Sequence, residues 1–258
     1  MSMLKKVVHG MARSGLRYGA LGALLTVMIG SAAAQTVSQN PLSAPGRVPS
    51  NLLLVPSVEW PTLDSMANLG DYDVNRSYVG YFDADKCYLY SYNSDESKRH
   101  FYSVLDNVTA HGCSPTKHWS GNWLNWAATQ TIDPFRKALT GGYRVEDTAT
   151  TTWLEKARYD GNGANSIYPN RRIPASNDNA TLVKGATAAT WGNLSVRIWK
   201  LDNRMRFTST GDLNTSTPTA YNPSSHTLSS WSANTVYEVT VRVKVCDASV
   251  GLEGNCKQ

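Results

Sequence analysis

The chain has 258 residues, 41% of them hydrophobic, with 25 Lys and Arg against 20 Asp and Glu, a net charge of +5 and a pI near 9.0. That apolar fraction suffices for a packed core in one large domain, or one and a half. The positive balance would suggest nucleic acid or an anionic surface, but its distribution excludes that reading: Lys5, Lys6, Arg13 and Arg17 all lie in an N-terminal stretch with no acidic residue, and the rest of the chain is left at +1.

Those four cations precede an apolar run from Tyr18 to Gly30 and the small residues Ser31 to Ala34. The pattern is that of a secretory signal peptide over 1–34 with cleavage after Ala34, and the run is too short for a transmembrane helix, which needs about 20 apolar residues. Export places the protein in the periplasm, at the outer surface or beyond. It also makes Cys87, Cys113, Cys246 and Cys256 candidates for disulfides, and short loops favour Cys87 with Cys113 and Cys246 with Cys256. Zinc is the alternative for Cys113 and the nearby His111, without a C-x-x-C to support it.

Residues 35–50 are polar and proline-rich and read as an extended linker. The run Asn51 to Val55, NLLLV, lacks alternation and stops at Pro56, which predicts a short strand buried on both faces, as in the centre of a parallel sheet. Residues 63–117 mix tyrosine, aspartate and turn residues, and predict a β-rich irregular insertion whose short strands, among them Cys87 to Tyr92, are closed by Cys113.

The stretch 118–144, HWSGNWLNWAATQTIDPFRKALTGGYR, carries three of the chain's eight tryptophans. Ser120 or Asn122 can cap a helix there, and Trp123, Trp126, Ala127, Ile132, Phe135 and Leu139 fall on one face at helical spacing. Pro134 breaks it in two, with Asp133 as the second N-cap and Pro134 in the first turn, and Gly141 and Gly142 end the second helix. Shared spacing with Ile132 predicts that Trp123 and Trp126 are core rather than a sugar-stacking platform, whereas Trp119 is expected at the surface. Further on, 195–208 and 235–248 alternate like half-buried strands, the latter opposing Tyr237, Val239, Val241, Val243 and Val245 to polar residues.

No metalloprotease, Walker, dinucleotide or serine-hydrolase motif occurs. His100, His111 and His118 share a region without a catalytic pattern. Asp71, Asp73 and Asn75, and likewise Asp160, Asn162 and Asn165, imitate calcium loops, but Arg76 and Phe82 stand where an EF-hand needs glycine and glutamate. They read as turns. Asn107-Val108-Thr109 is a glycosylation sequon by pattern only.

The run Gly121-Asn122-Trp123-Leu124-Asn125-Trp126, followed by Ile132, Asp133, Arg136, Lys137, Gly141 and Gly142, resembles the signature segment of the PilY family of type IV pilus proteins, which reads Gly-Asn-Phe-Leu-Asn-Trp. VPSNLLLV resembles the family's first strand, and YEVTVRVKVCDASVGLEGNCK its valine-alternating segment before two cysteines. The resemblance implies an α/β, von Willebrand factor A-like fold over 51–258, incomplete here, and a non-enzymatic exported adhesin or biogenesis protein of the pilus tip. Its expected partners are minor pilins or other pilus proteins, with a host or abiotic surface as a further target. The family's C-terminal propeller, which can bind calcium, is expected to be missing from a chain ending at Gln258. Where such A domains place an ion-binding Asp-x-Ser-x-Ser, this chain has Ser57, Glu59 and Pro61, so neither a metal nor another cofactor is expected. The competing function is a secreted carbohydrate-binding module or glycoside-active enzyme, which needs paired carboxylates in one cleft.

Overall fold

The computed structural model describes residues 53, 55, 64–105, 107–114, 118–159, 161, 163–224, 231–252 and 256. The expected signal peptide, the linker and the positions Ser57, Glu59 and Pro61 lie outside the described residues.

In chain order the elements are β1 (Cys87–Ser91), β2 (His100–Val104), β3 (Asn107–Thr109), β4 (Gly112–Ser114) and β5 (Trp119–Ser120). Then come the helices α1 (Gly121–Ala128) and α2 (Ile132–Thr140), and the strands β6 (Arg144–Asp147), β7 (Thr152–Glu155) and β8 (Arg171–Ile173). The helix α3 (Ala180–Ala186) precedes β9 (Leu194–Arg197), β10 (Arg204–Thr208), β11 (Thr219–Ala220), β12 (Tyr237–Thr240) and β13 (Arg242–Val245). They form a six-stranded sheet in the order β5-β1-β2-β13-β7-β6, a five-stranded sheet β11-β12-β10-β9-β8, and the hairpin β3-β4.

The fold is mixed α/β, but the sheets are not the parallel, helix-flanked sheet expected from the resemblance. Among the described residues only β13 with β2 and β11 with β12 run parallel, and every other strand pair is antiparallel. The connections explain this. Neighbouring strands such as β9 and β10 are joined by short turns, and parallel neighbours need a crossover of a dozen or more residues. Leu53 and Val55, expected inside a buried strand, are 85% and 82% exposed and belong to no strand.

The region 63–117, expected as an insertion, contributes to the main sheet. Its strands β1 and β2 lie inside the six-stranded sheet, paired in register from Cys87 opposite Val104 to Ser91 opposite His100. The Cys87–Cys113 disulfide ties β1 to the β3-β4 hairpin, whose turn residues Ala110 and His111 both have positive φ, as a tight two-residue turn requires. Cys246 pairs with Cys256, so both disulfides form as expected.

The alternating segment 235–248 does more than one strand could. Tyr237 and Val239 are buried in the five-stranded sheet, Val243 and Val245 in the six-stranded one. The chain changes sheet at Val241, whose N–H donates to Asn203 O and whose carbonyl accepts from Lys156 N–H, outside either ladder. One apolar stripe thereby stitches the two sheets together. Trp119 closes the space between them, 6.1 Å from Phe101 on β2, 5.1 Å from Phe207 on β10 and 5.4 Å from Trp123, ring to ring. It is fully buried, against the expectation of a surface position. Its pairing opposite Tyr88 at the edge of the six-stranded sheet turns the indole inward, and burying a ring of this size outweighs any polar gain from exposure.

Candidate functional site

The helix α1 is the signature motif, and all eight of its residues are buried. Ser120 caps it, its Oγ accepting the Trp123 N–H at 3.2 Å and donating to His111 O at 2.5 Å. Trp123 and Leu124 fill the core. The two asparagines, three residues apart and therefore on neighbouring parts of one helical face, turn to a segment that has no regular structure of its own.

That segment is 76–82. Asn122 Oδ1 accepts the Tyr78 N–H at 2.8 Å while Nδ2 donates to Arg76 O at 2.8 Å. Asn125 Oδ1 accepts the Phe82 N–H at 3.0 Å, and its Nδ2 donates to Tyr78 O at 2.9 Å and Phe82 O at 3.0 Å. A carboxamide carries both donor and acceptor, so it can satisfy the N–H and C=O of a passing backbone as a strand would; a carboxylate cannot donate. Asn68 Nδ2 adds bonds to Val79 O and Asn125 O, and Lys137 Nζ from α2 donates to Gly80 O at 2.6 Å. Close approach completes the clamp. A Cβ on Gly80 would lie 2.1 Å from Asn125 Oδ1, so the loop can reach the asparagine only with glycine there.

The clamped loop and α2 enclose a groove of about 580 Å³ lined by Val79, Phe82, Asp83, Pro134, Lys137 and Ala138. Val79 is 58% exposed at its rim. The groove is largely apolar, open to solvent and built on elements held by side-chain bonds, which suits it to taking up part of another molecule.

Trp126 is core, 1% exposed, and does a second task. Its Nε1 donates to Gly70 O at 3.0 Å, and the Arg171 guanidinium stacks on its ring 3.7 Å from the centroid. Arg171 also donates to Trp126 O, Asn68 O and Gly70 O, satisfying a carbonyl of the last turn of α1. Burial holds this guanidinium down to about 10. Neither Trp123 nor Trp126 has a face open for a sugar.

Asp133 does not cap α2. The helix begins at Ile132 with Thr131 before it, so Asp133 lies in the first turn with Pro134, where proline is tolerated. Its carboxylate instead accepts the Gln130 N–H at 3.1 Å and, across the chain, the Ala157 N–H at 3.0 Å. Burial raises its pKa, and the charge of Lys156 opposes that shift. Lys156 is itself buried, donating to Ala157 O at 2.7 Å and Asp202 O at 2.6 Å, and burial brings it down to about 8. Gly141 ends α2 in the left-handed conformation, as expected. The apolar face of α2 does not join the core, however: Asp133 is its only buried residue, and Phe135 and Leu139 are 46% and 51% exposed. Helical spacing identified a face; it could not say what faces it.

His100 and His111 each have a partner of their own. His100 stacks on Trp153 at 4.2 Å and His111 Nδ1 lies 2.8 Å from Asp85. Asp73 Oδ1 accepts the Asn75 N–H at 2.9 Å and the Asn75 amide at 3.2 Å, a local turn rather than a converging ligand set. Asp160 and Asn162 lie outside the described residues. Among the described residues no group of three or more His, Cys, Asp or Glu is placed to hold a metal ion, and no helix is long and apolar enough to cross a membrane.

Residues 70–178 match a family model described as PilY1 homolog, small alpha/beta domain. The chain is 51% identical over 229 residues to a protein of Xylella fastidiosa (strain Temecula1 / ATCC 700964) named type IV pilus biogenesis factor PilY1 homolog, covering 85% of this chain and 18% of the relative. A second protein of that name and strain is 33% identical over 103 residues, 40% of this chain and 6% of its own length. The chain thus spans less than a fifth of the curated relatives it matches. No solved structure matches it. The matched span contains the clamp from Gly70 through α1 and α2 to Arg171, and the chain thus carries, over 70–178, the small α/β domain of the PilY1 homologs.

Proposed function

We propose that this chain is a non-enzymatic, protein-binding part of an exported type IV pilus biogenesis factor, and that it engages minor pilins or other pilus components through the groove between the clamped loop and α2. The observation that carries this reading is the rigid presentation of Val79, more than half exposed beside an apolar groove, by asparagines of the signature motif. The names of the relatives support the pilus setting, and two disulfides suit an oxidising compartment. Export through a signal at 1–34, a place in the periplasm, at the outer surface or at the pilus tip, and an adhesive role belong to the same proposal. The burial of Trp123 and Trp126 counts against the carbohydrate alternative. Because the sheets here are largely antiparallel and the match covers only 18% of the longer-matched relative, we assign any von Willebrand factor A-like unit to other parts of such proteins.

Pull-down of purified minor pilins by the chain tests the proposal. Binding by the unaltered protein and its loss in Val79→Asp are expected. Failure to retain any pilin, together with binding on a glycan array, would sink it. The proposal includes that adhesion does not run through an ion at Ser57, Glu59 and Pro61, since one carboxylate and one hydroxyl leave most of a hard cation's shell to water. Calorimetric titration with calcium and magnesium checks this: a sub-millimolar site abolished by Glu59→Gln would reject it.

A further inference from the structure

The groove uses one side of α2 and leaves another open. Phe135, Leu139, Tyr143 and Val145 are between 38% and 51% exposed within a span of eleven residues. The Gly141-Gly142 turn leads the chain straight from α2 into β6, with Gly142 N–H bonded to Arg136 O and the Arg136 guanidinium 5.2 Å from the Tyr143 ring centroid, so the end of the helix and the start of the strand are held together. Exposed apolar residues gathered in this way mark an interaction surface more often than scattered ones do.

What the surface fits is written in β6. It is the outer strand of the six-stranded sheet, paired on one side with β7, and among the described residues no strand pairs with its other side. Its sequence runs Arg144-Val145-Glu146-Asp147, basic at one end and acidic at the other; Arg144 and Asp147, 46% and 54% exposed, form an ion pair within the strand at 3.6 Å. Such charges, and the register shift between Arg144 and Glu146, deter pairing with an arbitrary strand. A copy of the same strand running antiparallel is the exception. Reversal sets each Arg144 against the Glu146 and Asp147 end of the other copy, so the ion pair that each strand makes within itself can be exchanged for two between the copies.

We propose that the α2-β6 face binds a second copy of this chain across a twofold axis, with the two β6 strands antiparallel and Phe135, Leu139, Tyr143 and Val145 covered between the copies. The proposal goes beyond the pilin-binding reading, and it uses Phe135 and Leu139 rather than the Pro134, Lys137 and Ala138 side of the helix.

Sedimentation velocity of the 258-residue chain, from about 1 to about 100 μM, spans the range in which a small isologous interface assembles. A monomer–dimer equilibrium is expected. Arg144→Glu makes the strand wholly acidic, and Glu146→Arg with Asp147→Arg makes it wholly basic. Each variant alone is expected to weaken dimerisation about tenfold or more, and an equimolar mixture of the two to restore it as a heterodimer. Leu139→Glu should weaken it in every background. Leu139, Arg144 and Asp147 are exposed and Glu146 is partly so, so the variants should still fold with a cooperative melt, and Val79→Asp should leave the dimer intact. A monomer at every concentration, a dimer indifferent to both charge variants, or a mixture that fails to recover would each overturn the proposal.

Discussion

Gly121 and Asp83 approach so closely that a Cβ built on the glycine would lie 1.9 Å from the Asp83 carbonyl oxygen. The contact brings the end of the clamped loop onto the first residue of α1, and it explains the glycine that opens the signature motif. Gly121→Ala must push backbone from backbone and should cost about 3 kcal/mol in urea denaturation. Gly185, inside α3, has nothing within 4 Å of a Cβ, and Gly185→Ala should stabilise by up to about 1 kcal/mol through helix propensity. Equal effects at the two positions would show that close approach is not what demands glycine at 121.

The clamp itself is tested at Asn125. Asn125→Asp removes the donor to Tyr78 O and Phe82 O and sets a carboxylate against two carbonyls, so a loss on the order of 3 kcal/mol is expected. Hydrogen exchange should then accelerate at the Tyr78 and Phe82 amides before the strands of the sheet open. Unchanged protection there would mean that the loop holds its course without the asparagine.

Core and surface should separate cleanly among the large apolar residues. Trp119→Ala and Trp126→Ala are each expected to cost about 3 to 5 kcal/mol, the second also leaving Arg171 without its stacking partner. Leu139→Ser, at a half-exposed position, should stay within about 0.5 kcal/mol of the parent. Normal melting of a Trp126→Ala protein that has lost a ligand would instead assign the ring to recognition.

Alkaline pH should act in two opposing ways. Lys156 titrates at about 8 in the fold and at its ordinary value of 10.5 when unfolded, so between these the unfolded chain binds more protons and stability rises with pH. Tyr72 and Tyr90, pushed up to about 12 chiefly by burial, keep protons that the unfolded chain releases from pH 10.0 upward, and there stability falls. Lys156→Met should abolish the rise and spare the fall, as read from urea midpoints across that range. A rise that persists in the variant would assign it to another group.

The disulfides should differ in weight. Chain-entropy arguments give roughly 3 to 4 kcal/mol for Cys87–Cys113, separated by 26 residues, and roughly 2 to 3 for Cys246–Cys256, separated by 10. Paired serine variants compared by denaturation check the order, and peptide mapping without reduction checks the pairing itself.

What the sequence by itself determined is local. Ser120 before an apolar run, Pro134 in the middle and Gly141 at the end delimit two helices, because capping and φ restriction act within a turn. Alternation marked Tyr237 to Val245 as a buried stripe, and loop lengths pointed to the disulfides. Tertiary structure decided the rest. Whether the stripe served one sheet or two depended on Val241 finding Asn203 and Lys156, and the fate of Trp119 on Phe101 and Phe207. The asparagine pair takes its role from residues more than 40 positions away, which supply the backbone it binds. Phe135 and Leu139 had the spacing of a core face, yet both are about half exposed, since periodicity records which side chains share a face and only long-range packing records what that face meets.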